Sequence, residues 1–275
     1  MSTSSTESAF RLGLPPHLDH LHADREAWAV LKQEMRRWLE PTVGKLTLVM
    51  TSKYYGNSKA LESGVLDAAW VPPLVGHQMH RALDVDLVAR CVRDGQSSNR
   101  CALVAHVDDV EASAAPAFWT LQNAVWADAS SLTGFLSPLH ELVLSGDVQI
   151  SALALAHHRF GGSQSNAIKA VGRGEAKYTG VFVPPDASVG DEVAKDVVVV
   201  RLCRAVPAEA LVQRRSDVDL ADALASFAEH PKLHEMLNID GWAAPLDNDK
   251  RHLDALDEFA QSLSMQSLSA LSASA

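Results

Sequence analysis

Two segments of this sequence place glycine residues and hydroxyl side chains at the expected start of a helix. The first, residues 128–134, reads Asp-Ala-Ser-Ser-Leu-Thr-Gly, and the second, residues 161–166, reads Gly-Gly-Ser-Gln-Ser-Asn. The first N–H groups of a helix have no partner within the helix, and the helix dipole places positive charge beside them. A helix start flanked by Ser or Thr hydroxyls is therefore suited to bind an oxyanion.

Serine and threonine also cap helices without any ligand, so each segment taken alone favours simple capping. Both helix starts are expected at the carboxyl ends of strands, however, which is where open α/β sheets bind their ligands. The pair of segments therefore leaves capping and ligand binding as equal alternatives. The residues concerned are Ser131, Thr133, Gly134, Ser163, Gln164 and Ser165.

Histidines offer the other candidate chemistry. His157 and His158 precede the second segment, where they either line a cleft as an acid/base pair or lie partly exposed at a strand end. His17, His20 and His22 have no further ligand at a matching spacing, which favours a solvated loop over a metal site. The sequence contains no phosphate-binding loop, dinucleotide fingerprint or nucleophile elbow. It therefore predicts no metal, no cofactor and no assigned catalytic residue.

The composition bounds the class of protein. The chain has 275 residues, of which 47% are apolar and 21% charged, and its formal net charge is -10. This acidic balance argues against nucleic-acid binding, and no apolar run is long enough for a membrane span. Cys91, Cys101 and Cys203 form no metal spacing and, being odd in number, no disulfide framework. The first ten residues are polar and lack the features of a signal peptide, so we expect a cytoplasmic protein.

Strands and helices alternate along the chain. Apolar runs predict strands at residues 10–14, 45–50, 65–71, 101–106, 123–127, 178–183 and 196–202. Helical spacing predicts helices at residues 25–39, 58–63, 134–144, 163–171, 217–229, 231–237 and 249–262, the first of them capped by Asp24. Strands separated by helices indicate an α/β fold with mainly parallel sheets. The Ser/Ala-rich ends, residues 1–9 and 264–275, are expected to be disordered tails.

The order of these motifs resembles a known family. Residues 61–73 resemble the Leu-x-Ser-Gly-x-Val-Asp-x-Ala-Trp block of the phosphate/phosphite/phosphonate-binding family, the solute-binding proteins of ABC transporters. Matches follow in the same order at residues 92–95, 128–134 with Pro138, 161–171 and 174–176. The resemblance covers residues 10–262, almost the whole chain.

The resemblance implies a type 2 periplasmic-binding-protein fold, with two α/β lobes and a ligand between them. Lobe 1 would comprise residues 10–98 and 205–263, and lobe 2 residues 99–204. The family holds phosphonate oxygens with a Ser-x-Ser/Thr-Gly helix start, matched by Ser131, Thr133 and Gly134, and with a Ser-His pair, matched by Ser163 and Gln164. An aromatic residue of the first lobe matches Tyr54, and Trp70 is expected to line the same pocket.

Three positions depart from the family pattern. Gln164 replaces the usual His, Asn99 stands where a Tyr commonly follows the Asp-Gly turn, and Lys177 replaces an Asp that can meet a ligand amine. A Lys at this position would attract a carboxylate or phosphate instead. These departures indicate that the specificity has been rebuilt.

The sequence thus predicts a non-catalytic cytosolic protein that binds an anionic small molecule or a precursor peptide. Asn99, Gln164 and Ser165 would pair with the backbone amides of a peptide. Such a protein would be an accessory in a biosynthetic pathway, would have modifying enzymes as partners, and would act alone or as a homodimer. One alternative is an enzyme on the same fold that uses His157 or His158 as acid/base. Another is a phosphonate- or phosphate-type transport receptor whose signal peptide has been removed.

Overall fold

The computed structural model describes residues 9–51, 54–129, 131–149, 158–216 and 218–273, without the side chains of residues 54, 55 and 264–273. The first half of the chain forms β1 (Phe10–Leu14), α1 (Asp19–Ala23), α2 (Arg25–Val43), β2 (Leu46–Met50), α3 (Tyr54–Glu62), β3 (Ala68–Val71), α4 (Pro73–Ala82), β4 (Val85–Val92) and β5 (Ser98–His106). The second half forms α5 (Ser137–Leu144), α6 (Gln164–Gly172), β6 (Tyr178–Val183), β7 (Glu192–Ala194), β8 (Val197–Leu202), β9 (Val206–Pro207), β10 (Ala210–Arg214), α7 (Ala221–Ser226), α8 (Pro231–Leu237), β11 (Gly241–Ala243) and α9 (Asp247–Ala273).

The chain divides into two compact units. Unit 1 consists of Met1–Ser97 and Pro207–Asp247, and unit 2 of Ser98–Val206 and Asn248–Ala275. The boundaries near residues 98 and 206 lie close to those expected from the sequence. The C-terminal helix differs, because α9 groups with unit 2 from Asn248 onward, whereas the sequence assigned it to lobe 1.

Unit 1 is built on a six-stranded sheet in the order β11-β4-β10-β3-β1-β2. β1 pairs in parallel with β2 and with β3, whereas β10 pairs antiparallel with both β3 and β4. Strands β1 to β4 therefore run in one direction, and their carboxyl ends lie at one edge of the sheet. Among the described strands, the parallel pairing expected for the whole sheet holds for β1–β2 and β1–β3. Strands β3 and β4 do not pair with each other, because the returning strand β10 inserts between them.

The sequence of the long helix α2 explains where the helix begins and which of its faces packs against the sheet of unit 1. The side chain of Asp24 accepts hydrogen bonds from the N–H groups of Glu26 and Ala27, which confirms the predicted cap. The apolar side chains of α2 recur at helical spacing on one face and are buried against the sheet. They are Leu31, Met35, Trp38 and Leu39.

Unit 2 contains a smaller sheet in the order β6-β5-β8-β7, in which all three described pairings are antiparallel. This arrangement corrects the expectation of a mainly parallel sheet in this lobe. The strand expected at residues 123–127 forms isolated parallel bridges rather than a ladder, from Ala124 to Tyr178 and from Trp126 to Phe160. Among the described residues, parallel pairing in this part of unit 2 is therefore limited to these two single bridges, of which the first involves β6.

The predicted tails have different outcomes. Residues 1–8 lie outside the described part of the chain, and α9 continues to Ala273 where a disordered tail was expected from residue 264. Along the residues that the structure describes, no helix combines the length and the apolarity needed to cross a membrane.

Candidate functional site

The two glycine–hydroxyl segments lie at one edge of unit 2. The parallel bridges place residues 124–127 beside the start of β6 and residues 158–160 beside Trp126. Because these segments and β6 run in the same direction, the turns that follow them meet at the carboxyl end of β6. The structure therefore brings together the two helix starts that the sequence had proposed.

The first helix start is capped by its own serine. The Oγ of Ser131 accepts a hydrogen bond from the N–H of Gly134 at 3.0 Å, and a wide π-type turn over Leu132–Leu136 leads into α5. A Cβ added at Gly134 would lie 2.6 Å from the Cβ of Ala127 and 2.8 Å from the Oγ of Ser131. Glycine is needed here because the turn packs directly against the preceding extended segment.

The second helix start repeats this design. The Oγ of Ser163 accepts a hydrogen bond from the N–H of Asn166 at 3.2 Å, and the Asn166 side chain donates to the carbonyl of Gly161 at 2.9 Å. Gly162 has a φ of 80°, in the left-handed region that glycine adopts without strain. The loop is thus fixed by its own sequence, and Ser163 is exposed at its surface.

A side-chain hydrogen bond joins the two helix starts. The Nε2 of Gln164 donates to the Oγ1 of Thr133 at 2.9 Å, and the Oε1 of Gln164 accepts the backbone N–H of Phe182 at 3.0 Å. Gln164 therefore links the first helix start to the carboxyl end of β6. Sequence analysis did not find the contribution of Phe182, because a backbone N–H carries no sequence signal.

The hydrogen-bonding pattern of the three hydroxyl groups decides what this edge can bind. In each of Ser131, Thr133 and Ser163 the hydroxyl oxygen accepts a hydrogen bond from the protein. A hydroxyl that accepts in this way still has one O–H to donate. The edge consequently combines two helix starts with three hydroxyl donors, which suits a ligand whose oxygens are acceptors.

Two further predicted residues lie near this edge. Ser165 is exposed in the first turn of α6. Asn99 is half-buried near the start of β5, next to Arg100, which is paired with Val183 at the end of β6. Both residues are therefore on the side of unit 2 that carries the helix starts.

Lys177 is not part of this group. Its Nζ lies 3.0 Å from the Oδ1 of Asp109 in an exposed ion pair, and it directly precedes β6. Phe182 is five residues further along, which corresponds to about 16 Å of strand. The structure thus places Lys177 at the opposite end of β6 from Thr133 and Gln164, where it pairs with Asp109.

The aromatic residues expected in the pocket belong to unit 1. Trp70 is 2% exposed, and its ring contacts Trp242 at a centroid distance of 5.3 Å and His17 at 5.5 Å. It is a core residue rather than an exposed pocket wall, because both faces of β3 are covered. Tyr54 begins α3, but its side chain lies outside the described residues.

Among the candidate histidines, His158 belongs to the buried core of unit 2. His158 is buried among the rings of Trp126, Phe135 and Phe160, and His157 lies outside the described residues. Within the described residues, no group of three or more His, Cys, Asp or Glu side chains is arranged to hold a metal ion, so His17, His20 and His22 form no such site.

A buried asparagine that sequence analysis missed organises the corresponding edge of unit 1. The Nδ2 of Asn57 donates to the carbonyl of Leu14 at 2.9 Å and approaches that of Trp70 at 3.4 Å, while its Oδ1 accepts from Thr51 at 3.0 Å. Asn57 thereby ties the carboxyl ends of β1 and β3 to the loop that precedes α3. No local pattern marks such a residue, since its three partners are distant in sequence or in different elements.

Comparison with known proteins identifies a family. The family model described as "ABC transporter, phosphonate, periplasmic substrate-binding protein" matches residues 20–249. No curated protein sequence matches this chain.

Solved structures agree on the fold. A Xanthomonas citri protein bound to ATP has a TM-score of 0.66 at 17% identity, covering 93% of this chain and 98% of that one. The binding protein component of an ABC phosphonate transporter from Pseudomonas aeruginosa has a TM-score of 0.63 at 15% identity, covering 93% and 87%. A Prochlorococcus marinus protein in complex with methylphosphonate has a TM-score of 0.60 at 12% identity, covering 94% and 100%. These matches confirm the predicted type 2 periplasmic-binding-protein fold.

Proposed function

This chain belongs to the family of phosphonate periplasmic substrate-binding proteins of ABC transporters, and we propose that it binds a small oxyanion at the paired helix starts of unit 2 without altering it. The ligand class is a phosphonate or phosphate group, alone or as part of a larger molecule. Among the similar structures, one was solved with methylphosphonate and one with ATP, and both ligands carry tetrahedral phosphorus with anionic oxygens.

The observation that carries this proposal is the shared role of three hydroxyl groups. The hydroxyl oxygens of Ser131, Thr133 and Ser163 each accept one hydrogen bond from the protein, and each hydroxyl retains an O–H group to donate. Phosphonate and phosphate oxygens are strong acceptors, and hydrogen bonds to ionised groups are about twice as strong as neutral ones. A positive helix end at both starts adds to the attraction.

A small anion is better supported than a peptide. The peptide hypothesis counts Gln164, with Asn99 and Ser165, among the side chains that pair with peptide amides, and the two polar atoms of Gln164 each already make one hydrogen bond, to Thr133 and Phe182. The cytosolic location, the biosynthetic accessory role, the modifying-enzyme partners and the homodimer remain predictions from the sequence.

Titration calorimetry tests the proposal with methylphosphonate, inorganic phosphate and ATP. We expect one site per chain for at least one of these ligands. Changing Ser131→Asp and Ser163→Asp keeps an acceptor for each helix cap but replaces the hydroxyl donor by a negative charge, so binding should be lost while the fold is retained.

The matched control is Asp24→Ala, which removes the cap of α2 in unit 1. This variant should lose about 1 kcal/mol of stability and keep the wild-type affinity. Unchanged affinity in the double Asp variant would show that the two serines serve only as caps. Recovery of a chemically altered ligand after incubation would favour the enzyme alternative instead.

A further inference from the structure

Strand β2 forms one edge of the six-stranded sheet of unit 1. Among the strands that the structure describes, β2 pairs only with β1, in parallel. The N–H of Phe10 donates to the carbonyl of Lys45 at 2.7 Å, so the backbone groups of Lys45 face β1. Because the backbone groups of successive residues in a strand point to alternate sides, those of Leu46, Leu48 and Met50 face away from β1. β2 therefore presents backbone donors and acceptors at an open edge of the sheet.

The first donor of this open edge already binds a carboxylate. The N–H of Leu46 donates to the Oε1 of Glu40, in the last part of α2, at 3.1 Å. The Nε of Arg36 lies 3.7 Å from the same carboxylate oxygen. The beginning of the edge thus binds an acidic side chain between a backbone N–H and a guanidinium group.

Basic side chains predominate around Glu40, although the chain as a whole is acidic. A groove of about 580 Å³ along α2 is lined by the basic residues Lys32, Arg36 and Arg37 and by the acidic residue Glu40. The whole chain has 24 Lys and Arg residues against 34 Asp and Glu residues. Arg36 and Arg37 pair with glutamates of α2 but stay more than half exposed, and Lys45 is exposed just before β2. This surface therefore attracts negative charge.

We propose that the open edge of β2 and the basic groove of α2 form a docking surface for an extended acidic segment of another protein, which pairs with β2 as an additional strand. A polypeptide backbone supplies both donors and acceptors at the spacing of the edge, whereas a polyphosphate supplies acceptors alone. The acidic side chains of the segment contact Lys32, Arg36 and Lys45. This surface lies in unit 1 and is independent of the oxyanion site of unit 2.

A labelled peptide with the sequence Glu-Glu-Val-Thr-Val-Thr-Val-Glu-Glu tests this surface. Its control is the same peptide with Lys in place of every Glu. By fluorescence anisotropy with the full chain, the acidic peptide should bind about tenfold more tightly than the control, and high salt should remove this advantage.

Amide hydrogen exchange followed by NMR identifies the backbone groups that the peptide covers. The N–H groups of Leu48 and Met50 face the open edge, so they should become protected when the acidic peptide binds. Those of Thr47 and Val49 already face β1 and should keep their exchange rates. A peptide that is N-methylated at each Val and Thr has no central N–H to donate, so it should bind at least about tenfold more weakly than the parent peptide.

Charge-reversing variants test the groove. In the double variant Lys32→Glu, Lys45→Glu the acidic peptide should bind at least about tenfold more weakly, because two attractive charges become repulsive. The control is Lys250→Glu, which reverses an exposed charge on α9 in unit 2 and should leave peptide binding unchanged. Melting temperatures of all variants should be measured to establish that they are folded.

Each outcome decides for or against the docking surface. Tighter binding of the acidic peptide together with protection of the Leu48 amide supports it. Absence of binding, or equal binding of the acidic and the Lys peptides, overturns it. Binding that leaves the Leu48 amide unprotected also overturns it, since the groove then attracts anions without strand pairing. A chain that is dimeric without peptide, with its Leu48 amide protected, overturns it in favour of a second copy at the edge.

Discussion

The indole Nε1–H of Trp126 donates a hydrogen bond to the Nδ1 of His158 at 3.1 Å. Because an indole nitrogen can only donate, Nδ1 must carry no hydrogen, and the neutral imidazole holds its hydrogen on Nε2. His158 is 8% exposed and lies between aromatic rings. The bond thus gives His158 a structural role rather than the acid/base role considered from the sequence.

Replacing His158 should reduce stability without affecting anion binding. His158→Leu leaves the Trp126 N–H buried without its acceptor, so we expect a loss of about 1–3 kcal/mol in the free energy of unfolding, measured with urea. His158→Asn restores an acceptor close to the position of Nδ1 and should recover part of that loss. A His158→Leu protein that is as stable as wild type would contradict the structural role.

Lys177 provides a test of where the ligand binds. It pairs with Asp109 at the far end of β6, and half of its side chain is exposed. Lys177→Ala should change anion affinity less than twofold and stability by less than about 1 kcal/mol, since exposed ion pairs contribute little. The comparison is Thr133→Val, measured by calorimetry under the same conditions; an equal loss in both variants would place Lys177 in the site after all.

Unit 1 contains a charge pair whose stability contribution depends on pH. The Nη1 of Arg93 lies 2.6 Å from the Oε2 of Glu209, which also accepts the thiol of Cys91 at 3.1 Å. Burial raises the pKa of Glu209, but the charge and hydrogen bond of Arg93 outweigh it, so this pKa lies below its ordinary value. The pair therefore stabilises the fold above the pKa of an unfolded glutamate and loses this effect as pH falls through the lower folded pKa.

The variant Glu209→Gln should reveal how much the pair of Arg93 and Glu209 contributes to stability. The variant leaves the largely buried Arg93 without its counter-charge, so we expect a loss of about 3 kcal/mol at pH 7. The difference from wild type should shrink as the pH is lowered from 5 to 3, as followed by urea unfolding at each pH. A double change of Arg93→Met and Glu209→Met should cost less than the single change, because no charge is then left unpaired.

Two cysteines of unit 2 form a cross-strand pair that the sequence did not indicate. The N–H of Cys203 donates to the carbonyl of Cys101 at 2.9 Å, and hydrogen-bonded antiparallel neighbours have Cα atoms about 5.5 Å apart. This separation is within the range that disulfides span. Interaction with the Cys203 thiol lowers the pKa of Cys101 and raises that of Cys203.

Hydrogen peroxide should therefore link Cys101 to Cys203. The peroxide takes two electrons and two protons from the pair and leaves as two water molecules, and mass spectrometry should detect the loss of two hydrogens. Cys101→Ser and Cys203→Ser should each prevent the link. Cys91→Ser is the control and should leave it unaffected, because burial raises the pKa of the Cys91 thiol and its partner is Glu209.

Local sequence signals account for most of the elements but not for their pairing. β1, β6 and α8 coincide with the predicted ranges because each is a short run with clear ends. The direction of pairing in unit 1 depends on β10, which returns after more than a hundred residues, and no local pattern carries that information.

In the candidate site, too, the local features were predictable from the sequence and the long-range contacts were not. The hydroxyl groups of Ser131 and Ser163 were predictable because capping chemistry is local. The link from Gln164 to Thr133 joins residues 31 positions apart and depends on how α6 packs beside β6. The position of Lys177 came from a resemblance, which does not say at which end of a strand a side chain lies.

The C-terminal helix α9 gives a last prediction, on the pH dependence of unit 2. The ring of His140 on α5 packs against Phe259 on α9 at a centroid distance of 4.8 Å. Burial lowers the pKa of both His140 and His252, against the opposing effect of Glu141, and Arg204 lowers both further. Among the other groups around His252, Asp249 raises its pKa.

When folding lowers the pKa of a histidine, the folded state favours the neutral imidazole over the charged one. Its stabilising effect is complete above the unfolded pKa of about 6.5 and is lost as pH falls through the folded pKa. Unit 2 should therefore become less stable between pH 7 and pH 5, in a range where Glu209 stays ionised. In a His140→Phe, His252→Leu variant this slope should flatten, as measured by urea unfolding at half-unit pH steps. A variant slope equal to that of wild type would show that the contact between α5 and α9 does not sense pH.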